Sequence, residues 1–133
     1  MKPDTGRRPS NGLDQGVGMY QFSYAEISED VEINARDRER QALDHSIDLL
    51  ERAEKNGPRS RDAIEAIYMT RSLWAILVED LSSSENGLPE NLRAELISIG
   101  LWIMREAEAI RLGRSNNFAG IIEITTLIRD GLN

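Results

Sequence analysis

The amino-acid sequence predicts an all-α protein, a small antiparallel bundle of about four helices. Apolar residues recur every three or four positions through most of the chain after residue 34, which is the period of a helix that buries one face. Residues that end helices, such as Gly57-Pro58 and Gly113, separate these stretches. No stretch alternates between apolar and polar residues for long enough to predict a useful strand.

The first predicted helix, helix A, runs from about Asn34, a plausible N-cap, to Asn56 before the Gly57-Pro58 stop. The mixed charges on its other faces are typical of a helix surface in contact with water. Its apolar positions form one narrow stripe: Ala35, Ala42, Leu43, Ile47, Leu50 and Ala53.

Helix B is predicted from the N-cap Ser60 to about Leu81. Its apolar stripe is Ile64, Ile67, Tyr68, Trp74, Val78 and Leu81, widened by Leu73, Ile76 and Leu77. Helix D is predicted to begin near Asn116 or Asn117 and to end at Asp130. Its apolar face is Phe118, Ile121, Ile122, Thr125, Ile128 and Leu132.

Helix C opens at Leu88-Pro89-Glu90 and continues to about Leu112, where Gly113 is predicted to form a left-handed cap. Its middle part, Leu96 to Met104, carries no charge. A helix that is apolar around its whole circumference is normally buried among other helices. We therefore expect helix C to be surrounded, with Gly100 giving a neighbour close access and with any partner contacting the surfaces beside it. Helices B and C should form the central antiparallel pair, flanked by A and D.

Residues 1–18 differ from the rest of the chain, because they are rich in glycine and proline and poor in aliphatic residues. Such a segment cannot bury enough apolar surface to offset its ordering entropy. The sequence thus predicts a disordered extension over 1–18 and a single helical domain over 19–133. Codons for Gln15 to Gly18 can spell a purine-rich ribosome-binding site, so Met19 is our hypothesis for the biological start. In that case, the intact mass of the native protein would exclude residues 2–18.

Three aromatic residues at alternating positions follow Met19 directly, and we call them the aromatic arm: Tyr20, Phe22 and Tyr24. Its period-two spacing favours an extended segment, although five residues do not exclude a helical turn. The arm either docks on the bundle or contributes to a partner site. Trp74 and Trp102 lie on apolar helices, and each either packs in the core or serves as a ligand platform. Our candidate partner-binding residues are Tyr20, Phe22, Tyr24, Arg38 and Trp74.

No motif in the sequence supports catalysis, and we predict a protein that is not an enzyme and binds no cofactor or metal. The chain has no cysteine and one histidine. That histidine, His45, stands between Asp44 and Ser46, but neighbouring side chains on a helix point about 100° apart and cannot meet as a triad. No apolar run is long enough to span a bilayer, and no secretory signal is present, so we predict a cytoplasmic protein.

Four segments together are similar to a known family: Met19-Tyr20-Gln21-Phe22-Ser23-Tyr24-Ala25-Glu26, Arg38-Glu39-Arg40-Gln41-Ala42, Glu85-Asn86-Gly87-Leu88-Pro89, and Leu96 to Glu106. In order and spacing they resemble the FlaF family of flagellar biosynthesis regulators from alphaproteobacteria. The resemblance covers about residues 19–133. It implies a small cytoplasmic helical protein needed for the production and export of flagellin. It carries no catalytic residues over to this chain.

The resemblance implies flagellin as the partner, bound by a secretion chaperone or assembly factor. An apolar groove of a helical bundle could cover an amphipathic segment of flagellin. One alternative is a post-transcriptional regulator that contacts RNA, although the formal charge of −7 opposes general nucleic-acid binding. The basic residues that support it are Arg36, Arg38 and Arg40, and separately Arg59 and Arg61. Another alternative is an adaptor that acts through the partner regulator FlbT.

Overall fold

The computed structural model describes the backbone of residues 24–131 and the side chains of residues 35–131. Over this range the secondary structure is entirely helical, which confirms the predicted all-α fold. The chain divides into two compact units, Met1–Asp37 and Arg38–Asn133, and the packing described below lies within the second. The helices in the described part of the chain are α1 (Tyr24–Asn56), α2 (Arg61–Ser82), α3 (Glu90–Arg111) and α4 (Phe118–Asp130).

The ends of these helices follow the local signals in the sequence. Gly57 and Gly113 have φ angles of 100° and 77°, a left-handed region that favours glycine. The Ser60 hydroxyl accepts a hydrogen bond from the Ala63 amide at 3.1 Å, and the Asn117 carbonyl oxygen accepts one from the Gly120 amide at 2.9 Å. These side chains satisfy amide groups that have no partner within the helix. The predicted boundaries of helices B, C and D are thereby confirmed to within two residues.

The prediction that the first helix starts at Asn34 was wrong, because α1 begins at Tyr24 and continues to Asn56. No glycine or proline lies between these two residues, and asparagine inside a helix is only mildly unfavourable. Asn34 therefore lies within the helix rather than at its cap. Tyr24, the last aromatic residue of the arm, is the first residue of α1. Tyr20 and Phe22 lie outside the described residues.

Helices α2 and α3 form the central antiparallel pair, as the sequence predicted. They pack more extensively than α3 and α4 do. Near the start of α3, the Arg93 Nη1 donates hydrogen bonds to the carbonyl oxygens of Leu81 and Ser83 at the end of α2, at 3.4 and 3.2 Å. A Cβ atom built on Gly100 would lie 2.8 Å from the side chain of Trp74. Gly100 thus lets the two helices approach closely, as expected from the missing side chain.

The core combines the apolar faces of all four helices. Two of its polar side chains, Ser46 on α1 and Thr70 on α2, face each other with their hydroxyl oxygens 3.3 Å apart. This hydrogen bond offsets part of the cost of burying both groups. The largest buried apolar side chains are Trp74, Phe118, Leu43, Leu50, Ile103, Ile110 and Ile121.

The expectation that helix C is surrounded was wrong. The buried residues of α3 are Gly100, Ile103, Ala107 and Ile110, whose spacing of three and four positions defines a single face. Trp102, on the opposite side, is 38% exposed. The segment lacks charge around its whole circumference, but the described helices cover only part of it. Helix α2 shows the same difference between apolar pattern and burial, because three residues of its predicted stripe are exposed: Ile64, Tyr68 and Ile76.

Candidate partner-binding groove

An open groove with a volume of about 510 Å³ lies between α3 and α4. Its most exposed apolar residues are Trp102 on α3 and Leu127 on α4, the latter 62% exposed. The residues that line the groove are Ser98, Ile99, Trp102, Asn117, Gly120, Glu123, Ile124 and Leu127. A volume of this size is within the range of binding pockets, and an open, mostly apolar channel between two helices suits an elongated segment.

The α4 wall of the groove exists because this helix carries apolar residues on two faces. One face, with Phe118, Ile121 and Thr125, is buried. The second face holds Ile124 and Leu127, three positions apart, and lines the groove. The sequence therefore gives α4 more apolar surface than the core of the described unit uses.

The N-terminal end of α4 shapes one end of the groove. Asn117 caps the helix with its side chain and also lines the groove. A Cβ atom at Gly120 would lie 2.5 Å from the Asn117 side-chain amide nitrogen. Gly120 therefore leaves room for the cap and keeps this part of the wall free of a side chain.

Glu123 is the charged residue among those that line the groove. Arg129, further along α4, donates a hydrogen bond to Asp44 of α1 at 2.8 Å and also contacts Asp130. These hydrogen bonds, that to Asp44 foremost, raise the pKa of Arg129. The residues that line the groove itself are mostly apolar, with Glu123 as their one acidic group.

A second group of charges lies where α2 meets α3. Glu108 forms ion pairs with Arg71 of α2, at 2.9 Å, and with Arg111 of its own helix. The hydrogen bond from Arg111 and the positive charges of Arg111, Arg71 and Arg114 hold the pKa of Glu108 below its ordinary value of 4.5. This cluster joins two helices and is composed of groups that water reaches, so we assign it a modest structural role.

Within the described residues, no group of three or more histidine, cysteine, aspartate or glutamate side chains could hold a metal ion. None of the helices described is both long and apolar enough to cross a membrane. His45 lies exposed on α1. The groove is our candidate for the surface in this part of the chain that binds another molecule.

Comparison with protein families identifies this chain. The family model of the flagellar protein FlaF matches residues 20–132. The chain belongs to the FlaF family. The resemblance inferred from four sequence segments is thereby confirmed, and the protein is a flagellar-related one. Comparison with curated proteins and with solved structures finds no match.

Of the sequence-predicted partner residues of this FlaF-family chain, the structure describes the side chains of Trp74 and Arg38. Trp74 is 1% exposed and packs against Gly100, so core packing accounts for it and a partner cannot reach it in this conformation. Arg38 lies exposed on α1. Tyr20 and Phe22 fall outside the described residues, as does the side chain of Tyr24.

The partner residues predicted from the sequence did not include the groove residues Trp102, Ile124 and Leu127, although Trp102 was considered together with Trp74 as a ligand platform. A signal for Trp102 was present, because it lies off the spacing of Gly100, Ile103 and the other buried residues of α3. For Ile124 and Leu127 the signal was a second apolar face on a helix of only 13 residues. Trp102 also falls within the segment Leu96 to Glu106, one of the four that carry the family resemblance.

Proposed function

We propose that this protein is a non-enzymatic, cytoplasmic flagellin-binding factor that promotes flagellin production and export, as a secretion chaperone or assembly factor. Membership of the FlaF family supports the flagellar context. The observation that carries the binding role is the exposed apolar groove between α3 and α4. Flagellin itself comes from the family resemblance, and the groove supplies a physical means of holding one of its apolar segments.

The shape of the groove defines the kind of segment that it would hold. Its lining on α4 extends from Asn117 to Leu127, which spans about 15 Å at the rise of an α-helix. About three turns of a bound helix match that length. We expect such a helix to place apolar residues at positions i, i+3 or i+4, and i+7 against Trp102, Ile124 and Leu127.

The charge of the groove adds a second requirement. Glu123 lies among apolar residues, so a bound segment gains from a lysine or arginine beside its apolar stripe. A segment with an acidic residue at that place would be disfavoured, since like charges in a partly desolvated contact repel. The proposed ligand is therefore an amphipathic segment with a basic flank.

The test is binding of the full chain to the flagellin of its own bacterium, and to peptides of the two flagellin termini, by titration calorimetry. We expect micromolar or tighter binding to flagellin. Trp102→Ala and Leu127→Ser should each weaken it by about 10-fold or more, since exposed apolar anchors contribute much of the affinity of such contacts. The matched control is Ile76→Ser, which alters an equally exposed apolar residue on α2 and should bind as the unaltered chain does.

Three results would count against the proposal. Absence of micromolar binding to flagellin and to its terminal peptides would reject the chaperone role. Unchanged binding by Trp102→Ala and Leu127→Ser would place the site elsewhere. Binding to FlbT without binding to flagellin would favour the adaptor alternative.

Salt dependence separates the flagellin proposal from direct RNA binding. Contacts between apolar surfaces change little with salt concentration, whereas binding to phosphates weakens steeply as salt rises. Arg38→Ala should therefore leave flagellin binding intact. If the chain instead bound flagellin messenger RNA with a steep loss of affinity in salt, and Arg38→Ala reduced that slope, the RNA alternative would replace the proposal.

A further inference from the structure

The outward face of α2 carries a second exposed apolar surface, separate from the groove. Ile64 and Tyr68 are 69% and 71% exposed. They lie four positions apart and therefore side by side on the helix. Ala75, two turns after Tyr68, is also exposed on this face. A tyrosine and an isoleucine this open to water are characteristic of contact surfaces.

The charges on this face are arranged symmetrically about Tyr68. Glu65 lies three positions before it and Arg71 three positions after it. When two identical helices pack antiparallel across a two-fold axis, residues equally far before and after the central position lie level with each other. Glu65 and Arg71 flank Tyr68, about 60° to either side of it. With Tyr68 at the centre, Glu65 of each copy lies level with Arg71 of the other, and these long side chains can reach across the contact, so that opposite charges meet twice.

A parallel arrangement of the same face would be unfavourable. It would place Glu65 opposite Glu65 and Arg71 opposite Arg71, and like charges in direct contact repel. The antiparallel arrangement also sets Arg61 opposite Ala75, with Glu79 one turn beyond. The charges of this face are thus complementary to those of a second copy only when the two helices run antiparallel.

Arg71 is held in a suitable position by its neighbour on α3. Its Nη1 lies 2.9 Å from the Glu108 carboxylate, and the side chain remains 45% exposed. A guanidinium group has five N–H donors, so Arg71 can keep this ion pair and still contact a second carboxylate. Pre-positioning lowers the entropy that an intermolecular ion pair costs.

We propose that the outward face of α2, made of Arg61, Ile64, Glu65, Tyr68, Arg71 and Ala75, is a self-association surface on which a second copy of this chain packs antiparallel, with the two-fold axis at Tyr68. The face does not include the residues of the α3–α4 groove. The dimer and the flagellin proposal can therefore succeed or fail independently.

Sedimentation equilibrium of the full chain tests this arrangement by exchanging charges. The unaltered chain should dimerise in the micromolar to submillimolar range. Glu65→Arg gives a face with two arginines, and Arg71→Glu gives a face with two glutamates. Each variant alone should associate at least about 10-fold more weakly, because two attractive pairs become repulsive. An equimolar mixture of the two variants should restore association, since every pair across the axis is then of opposite charge.

The controls distinguish association through this surface from nonspecific association through any exposed apolar residue. Leu127→Ser removes a similarly exposed apolar side chain on α4, outside the proposed face, and should dimerise as the unaltered chain does. Tyr68→Ser should dimerise more weakly. If Arg71→Glu fails to fold because it faces Glu108, the same variant with Glu108→Arg restores an opposite pair there. A strictly monomeric chain at submillimolar concentration, or a variant mixture that stays monomeric, would overturn the proposal.

Discussion

The two sides of α3 place two tryptophans in opposite environments, since Trp74 of α2 packs against one side and Trp102 of α3 lies on the other. Gly100 and Trp102 are two positions apart, so they point about 200° apart around the helix. Towards α2, Gly100 receives the ring of Trp74, which is 1% exposed. Towards α4, Trp102 lines an open groove. Tight helix packing on one side of α3 thus leaves an apolar surface available on the other.

Replacing each tryptophan by alanine should give the largest difference between the two sides. Trp74→Ala removes a fully buried ring and should lower the free energy of unfolding by about 3–5 kcal/mol. Trp102→Ala removes a partly exposed ring and should cost about 1 kcal/mol. Urea unfolding followed by circular dichroism measures both. Equal losses would show that the Trp102 side chain belongs to the core and not to a binding groove.

The two glycines within helices should respond differently to alanine. A Cβ at Gly100 would lie 2.8 Å from both Trp74 and Val78, so Gly100→Ala should destabilise the fold by about 1–3 kcal/mol through overpacking. Gly120→Ala meets only the movable Asn117 side chain and gains helix propensity, so we expect a change within about 1 kcal/mol.

A second substitution tests the cause of the Gly100 effect. Adding Val78→Ala to Gly100→Ala gives the new methyl group space, so the double variant should be more stable than the sum of the two single effects. Additive effects would attribute the loss to another contact than the one with Val78, such as the contact with the Trp74 ring.

The caps of α2 and α4 allow a comparison between equivalent groups. Ser60→Ala and Asn117→Ala each remove a side-chain cap, and each should lower the free energy of unfolding by about 1 kcal/mol. Hydrogen exchange should rise in the first turn of α2 for Ser60→Ala and in the first turn of α4 for Asn117→Ala. Because Asn117 also lines the groove, only its substitution should weaken flagellin binding. Equal weakening by both variants would indicate a general loss of stability.

The smallest effect concerns the ion pairs between α2 and α3. The pKa of Glu108 is lowered in the folded chain, chiefly by its hydrogen bond from Arg111. A carboxyl group with a lowered folded pKa contributes stability above its unfolded pKa, and this contribution is lost as the pH falls through the folded value. Stability should therefore decline slightly below about pH 4.5. Glu108→Gln should flatten this part of the urea midpoint profile.

Several elements of the fold could be predicted from local chemistry alone. The ends of α2, α3 and α4 followed from Ser60, Gly113 and Asn117, because capping depends on a few neighbouring atoms. The start of α1 could not be placed in this way, since asparagine is compatible with both a cap and a helix interior. Tyr24, and not Asn34, begins the helix.

The helical class, the pairing of α2 with α3 and the family all followed from the amino-acid sequence. Periodicity, capping residues and a short connection are local properties, and the order of motifs belongs to the chain. Which apolar residues are buried became known only from the packing of the helices. Trp74 and Trp102 have the same chemistry, but burial depends on whether another helix lies opposite a given face. Even when a helix is apolar around its whole circumference, the helices packed against it determine which of its faces stays exposed to a partner.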